Sequence, residues 1–180
     1  MRILLTGGTG LVGSNFRENS RSLAHQIIAP SSKQLNLLDF EATKQFFCDT
    51  KPDIVVHAAG KVGGIQANLA DPVNFLIENL SIGNNVIMAA LSACIPKLLN
   101  IGSSCMYPRG YDKALLEDMI LSGELEPTNE GYALAKIVSQ RLCNYISKGQ
   151  KFEYKTIIPC NIYGKHDSFS PSKSHLIPAI

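Results

Sequence analysis

A doubly wound α/β fold, one parallel sheet between layers of helices, is predicted by two features of the sequence. Short apolar runs alternate with longer amphipathic ones along the chain, and the short runs are continuously apolar, as in strands buried on both faces. Each short run leads into a loop rich in Gly, Ser, Pro or Asn. Ligands of such sheets bind in those loops, beyond the carboxyl ends of the strands.

Taken in order, Arg2–Thr6 (RILLT) reads as a strand bounded by glycines, and residues 11–19 read as a helix. Residues 26–29 (QIIA) form a second strand, stopped by Pro30-Ser31-Ser32. A helix follows near residues 40–49, and Ile54–His57 (IVVH) is the third strand. Asp71-Pro72 pairs a capping side chain with proline at the first helical position. The helix it opens has apolar positions Phe75, Leu76, Leu80, Val86, Ile87, Ala90 and Leu91, which carry it to about Cys94. Residues 98–102 make the fourth strand, 131–148 a long helix, and 154–158 the fifth strand.

Composition narrows the functional classes. The chain has 180 residues, 45% hydrophobic and 18% charged, with a net charge of +2, which suits one globular domain with the start of a second. Lys and Arg are scattered, so no basic stripe for nucleic acid forms, and no apolar stretch is long enough to span a bilayer. The N-terminus runs directly into the first strand, so no signal peptide is expected and a cytoplasmic protein is. The sequence stops on the apolar text "HLIPAI", with no cap or polar tail, as a fragment cut at a domain boundary would. Five cysteines (48, 94, 105, 143 and 160) without C-x-x-C spacing fit neither a disulfide framework nor a zinc site, so no metal is expected. Asn79-Leu80-Ser81 matches a glycosylation sequon but lies within a helical pattern and is discounted.

Three motifs carry chemistry. "TGGTGLVGS" places Gly7, Gly10 and Gly13 between the first strand and the first helix, where the backbone can approach a pyrophosphate. After the second strand, an acidic residue would serve the ribose 2′-hydroxyl of NAD; here Ser31, Ser32 and Lys33 suit a 2′-phosphate, so NADP(H) is the expected cofactor. "YALAK" sets Tyr132 and Lys136 on one helix face, where the ammonium is expected to lower the phenol pKa. Ser103, after the fourth strand, can donate to the same carbonyl oxygen. In "GSSCMYP", Cys105 follows Ser103 by two residues, so an extended segment would turn both the same way. A thiol there suits proton transfer beside a ketone, which needs a second group on the opposite face. His175 and His166 are both candidates for that group.

"AAGKVGGIQAN", "GSSCMYP", "LEPTNEGYALAK" and "NIYGKHDSFSPSKSHLIPA" occur in this order. Together they resemble the GDP-L-fucose synthase family, in the extended sugar-nucleotide branch of the short-chain dehydrogenase/reductase superfamily, over all 180 residues. The resemblance implies a Rossmann-like NADP-binding domain over residues 1–160, with 161–180 opening a substrate domain otherwise missing. It implies an epimerase–reductase acting on GDP-4-keto-6-deoxy-D-mannose, with Ser103, Tyr132 and Lys136 at the carbonyl and Cys105 with His175 as the epimerising pair. For the cofactor it implies Gly7, Gly10, Leu11, Val12, Gly13, Ser32, Lys33, Asp39, Ala58, Ala59, Gly60, Ile101, Gly102, Ser103, Lys136, Pro159, Asn161, Ile162 and His175. For the sugar it implies Lys61, Val62, Gly63, Gly64 and Asn161. A homodimer built on the two long helices is also implied. Another nucleotide-sugar enzyme, such as a GDP-colitose synthase, shares every motif. A non-catalytic dinucleotide-binding protein would need the glycine loop alone.

Overall fold

The computed structural model describes residues 1–111, 114–149 and 151–167. Strands β1 (Arg2–Thr6), β2 (Gln26–Ile28), β3 (Ile54–His57), β4 (Lys97–Ile101) and β5 (Glu153–Ile157) form one parallel sheet in the order β2-β1-β3-β4-β5. From β1 the chain first builds outward to β2 and then crosses to β3, so the crevice between the carboxyl ends of β1 and β3 is the topological switch point. The helices are α1 (Leu11–Glu18), α2 (Phe40–Thr50), α3 (Ile65–Ala70), α4 (Pro72–Ser92) and α5 (Glu130–Lys148). None among the described residues is long and apolar enough to cross a membrane.

On one face of the sheet, Leu4, Val55, Leu98 and Tyr154 pack against Phe47 of α2, Val86, Ile87 and Ala90 of α4, and Cys143 of α5. On the other, Ile3, Leu5 and Val56 pack with Phe16 of α1. The doubly wound prediction therefore holds, with helices packed on both faces of β1 and β3. At the edge strand β5, Glu153, Lys155 and Ile157 are exposed and only alternate residues turn inward. The run Tyr154-Lys155-Thr156 already carries the alternation of a strand with one wet face.

Two details position the site. Helices α4 and α5 cross closely at Gly83, where a Cβ would lie 2.2 Å from the Ser139 hydroxyl oxygen. The end of α5 is tied to β5 by Ser147, whose Oγ donates to the Tyr154 carbonyl and accepts its N–H, both at 2.8 Å. At the start of α4, Pro72 takes the first helical position as predicted, but Asp71 does not cap with its side chain. Its carboxylate instead pairs with Lys61 Nζ at 2.8 Å and accepts from Asn74 Nδ2 at 2.7 Å.

Candidate active site

Gly7 follows β1 with φ +74°, in the left-handed region that suits glycine. A Cβ there would lie 2.6 Å from the Ala58 carbonyl carbon, and one on Gly13 would lie 2.2 Å from the Gly7 oxygen. Side chains are thus excluded from both ends of the turn that opens α1. A cleft of about 410 Å³ lies beside it, with Thr6, Gly7, Ser32, Gly60, Lys61 and Glu78 among its lining residues. Bare backbone at a helix N-terminus, facing a cleft at the switch point, fits a dinucleotide pyrophosphate. Lys33 is exposed next to Ser32, and Ser31 donates from both its N–H and its hydroxyl to Gln34 Oε1 at 2.9 Å, which fixes this turn. Asp39 caps α2, accepting the Ala42 N–H at 3.0 Å.

Beyond β4 the expected extended segment is absent. Ser103 instead caps a short 3₁₀ turn, Ser104–Met106, which contains Cys105. The Cys105 N–H donates to Ser103 Oγ at 3.5 Å, because a serine hydroxyl readily bonds backbone two residues on and closes a turn. Cys105 is part-buried against Met106, Ile120, Leu125, Ala133 and Ile137, so α5 covers it from one side. From the same helix, Lys136 Nζ sits 5.6 Å from the centre of the Tyr132 ring and donates to the Ile101 carbonyl at 3.0 Å. Ser103, Cys105, Tyr132 and Lys136 thus converge at the carboxyl end of β4 and the start of α5.

The electrostatics correct one expectation. Lys136 does not lower the Tyr132 pKa; burial, and secondarily the neighbouring Cys105, push the phenol well above its ordinary value. The ammonium is turned to Ile101, and its own pKa is pushed down to about 8, chiefly by burial. Burial also raises Cys105, against the smaller lowering effects of the Ser103 hydroxyl and the Lys136 charge. Tyrosine and cysteine are accordingly held in their protonated forms.

The register also reveals a polar row, buried over three strands and part-buried at its β5 end, that sequence reasoning missed. Thr6, His57, Asn100 and Thr156 are register neighbours across β1, β3, β4 and β5, one step above the apolar row of Leu4, Val55, Leu98 and Tyr154. Thr6 Oγ1 lies 2.7 Å from His57 Nδ1, and Asn100 Nδ2 donates to Thr156 Oγ1 at 3.2 Å. Burial and the Lys136 charge push the His57 pKa down to about 3. The available signal was a polar residue closing or nearly closing three otherwise apolar strands, as in IVVH and KLLNI.

Other expected residues stand apart. Val62 is exposed, as are Asn161 and Ile162 beyond β5. His166 is committed to α1, with Nε2 2.8 Å from Glu18 Oε1, while Lys165 Nζ pairs with Glu18 Oε2 at 2.6 Å. His175 lies outside the described residues.

Residues 3–180 match the NAD dependent epimerase/dehydratase family. The chain belongs to that family. Within it, the chain is 54% identical to a GDP-L-colitose synthase from Yersinia pseudotuberculosis, covering 100% of this chain and 59% of that protein. It is 49% identical to a GDP-L-fucose synthase from Azorhizobium caulinodans, covering 99% of this chain and 57% of that one. It therefore spans little more than half the length of the curated epimerase/dehydratase relatives it matches. A crystal structure of a GDP-L-fucose synthetase from Naegleria fowleri bound to NADP superposes with a TM-score of 0.87 at 28% identity, covering 99% of this chain and 59% of that one.

Proposed function

We propose that this chain is the NADPH-binding part of a nucleotide-sugar epimerase–reductase that converts GDP-4-keto-6-deoxy-D-mannose to GDP-L-fucose. The observation that carries the reading is the convergence of a thiol, a phenol and an ammonium, Cys105, Tyr132 and Lys136, at one strand-end site. A dinucleotide-binding protein without catalysis needs no such set. The fucose synthase names among relatives and the NADP in the Naegleria structure support substrate and cofactor.

When bound, NADPH supplies hydride to the carbonyl carbon. The chain's own residues do the rest. Gly7, Gly10 and Gly13, with Leu11 and Val12 on the first turn of α1, bind the pyrophosphate; Ser32 and Lys33 take the 2′-phosphate. Lys136, with Ala58–Gly60 and Ile101–Gly102, would hold the nicotinamide ribose. Ser103 donates to the carbonyl oxygen, and Tyr132, protonated through burial, gives that oxygen its proton. At each of the two carbons flanking the carbonyl, Cys105, also protonated, returns a proton after His175 has removed one from the opposite face, and exchange with solvent resets the pair between the two inversions. Residues 1–160 form this domain and 161–180 lead into the one that holds the GDP-sugar. The enzyme works in the cytoplasm, a placement supported by five free cysteines. It acts as a homodimer through the stripe of Val73 and Ile77 on α4 with Leu134, Val138 and Tyr145 on α5, all exposed.

Two assays test this. NADPH oxidation in the presence of GDP-4-keto-6-deoxy-D-mannose should yield GDP-L-fucose. In D₂O, Cys105→Ser should slow deuterium entry beside the carbonyl by roughly 100-fold while NADPH binding stays within about twofold. Full-rate deuterium entry in that variant would remove the thiol from the mechanism. The identity to the GDP-L-colitose synthase favours a second reading, with that product instead. Offering the 4-keto precursor of each product decides between them.

A further inference from the structure

We propose that Asn15 and Glu18 of α1 are positioning residues for the chain leaving β5: they clasp Lys165 and His166, so that residues 159–164 are held beside the nicotinamide end of the site. This rests on the dinucleotide reading above. Asn15 Nδ2 donates to the Lys165 carbonyl at 2.7 Å and to the Leu11 carbonyl, one turn back on its own helix, at 2.8 Å. Both amide hydrogens are therefore used, and the side chain is fixed at its root before it reaches the segment. The two Glu18 oxygens are divided between neighbours: Oε1 lies 2.8 Å from His166 Nε2 and Oε2 lies 2.6 Å from Lys165 Nζ. A single exposed ion pair contributes little. Here one carboxylate takes two adjoining side chains while an amide takes the main chain between them.

The backbone at the clasp is in a conformation that needs support. The Asp167 N–H donates to the Gly164 carbonyl at 3.2 Å, and within that turn His166 takes φ +69°, a region that a residue other than glycine enters at a cost. The Glu18 carboxylate on its imidazole holds it there. At the other end the segment continues the sheet ladder past the strands. The Gly102 N–H donates to the Ile157 carbonyl at 2.8 Å and the Ser104 N–H to the Pro159 carbonyl at 3.2 Å, which sets Pro159 against the loop of Ser103 and Cys105. Five residues separate Pro159 from Lys165, a reach of at most about 20 Å. In that length the chain passes from the β4–β5 side, beyond β3, to the helix packed against β1. Two strand spacings, about 10 Å, and the step from sheet to helix take up much of it. A clasp at Lys165 therefore sets the course of residues 159–164, which include Asn161 and Ile162, both expected at the cofactor. Helix α1 then serves the dinucleotide twice, at the pyrophosphate through its N-terminus and at the nicotinamide through the segment it holds.

The test uses the 180-residue chain with Glu18→Lys, Asn15→Ala and the charge exchange Glu18→Lys/Lys165→Glu. Tyr163 is exposed within the segment, so chymotryptic cleavage after it reads the clasp directly. Cleavage there should be about tenfold faster in Glu18→Lys and in Asn15→Ala, and should return to within about threefold of wild type in the exchange variant. Cleavage after Tyr145, exposed on α5, should stay unchanged in all of them. NADPH fluorescence should report a Kd about fivefold weaker in Glu18→Lys and largely restored by the exchange, whereas 2′,5′-ADP, which lacks the nicotinamide half, should bind every variant within about twofold of wild type. Equal cleavage after Tyr163 in wild type and Glu18→Lys, a loss that the exchange does not restore, or equal weakening of both ligands overturns the proposal. If wild type binds neither ligand, the dinucleotide reading fails, and the cleavage rates alone still decide whether α1 holds the segment.

Discussion

His57 illustrates what burial does to a single titratable residue. In the unfolded chain an imidazole takes up a proton below about pH 6.5. In the fold it stays neutral until about pH 3, excluded from water and facing the Lys136 charge. The unfolded state therefore binds the extra proton across that window, and stability is full above pH 6.5 and lost as pH falls toward 3. By pH 5 the loss from this group is about 2 kcal/mol. Denaturant unfolding at pH 7.5 and 5 should show it, and His57→Gln should flatten that part of the slope. Lys136 sets a second window. Its cation persists only up to about pH 8, so NADPH affinity should fall between pH 7 and 9. Lys136→Met should be weak throughout and insensitive to pH. A titration in which wild type and this variant change in parallel would place the controlling group elsewhere.

Between elements, the close crossing of α4 and α5 allows a sharper expectation. Gly83→Ala would place a methyl group 2.2 Å from Ser139 Oγ, and the Ser139 hydroxyl is itself bonded to the Ala135 carbonyl at 3.1 Å. Overpacking of this kind costs about 2 kcal/mol, which a denaturant midpoint would reveal; a neutral result would mean that the helices separate freely. The double variant Gly83→Ala/Ser139→Ala should recover most of the loss. Such a contact leaves little trace in the sequence, where Gly83 is only a poor helix former in a long helical pattern. What was legible was periodicity. Each of the five strands and four of the helices fell within a residue or two of the predicted ends, because an apolar run stops where its loop residues begin. Helix α3 was missed because six residues are too few to show a period. The turn at Cys105 and the use of Asp71 depend on partners chosen in three dimensions, Ser103 and Lys61, and local patterns do not contain that choice.

At the scale of the molecule, the glycine loop and the pair Tyr132–Lys136 were readable because their spacing is dictated by one turn or one helix face. The row of Thr6, His57, Asn100 and Thr156 was not, since it exists only once the strands are in register. Exposed Leu134, Val138 and Tyr145 continue one stripe of α5 beside Val73 and Ile77 of α4. If this face joins two copies, Leu134→Glu with Val138→Glu should convert a sedimenting dimer to monomers while leaving NADPH binding within about twofold. A double variant that still sediments as a dimer would move the interface elsewhere.

The long helix behind the candidate site is also fastened to the sheet twice, by Lys136 to the end of β4 and by Ser147 to the main chain of β5. Those fastenings are separated by about 16 Å of helix axis. Like a gauge bar clamped at both ends, α5 cannot slide lengthwise unless one clamp gives way. How far the phenol reaches past the strand ends is therefore set partly by a small hydroxyl at the far end of the helix, remote from any reacting atom.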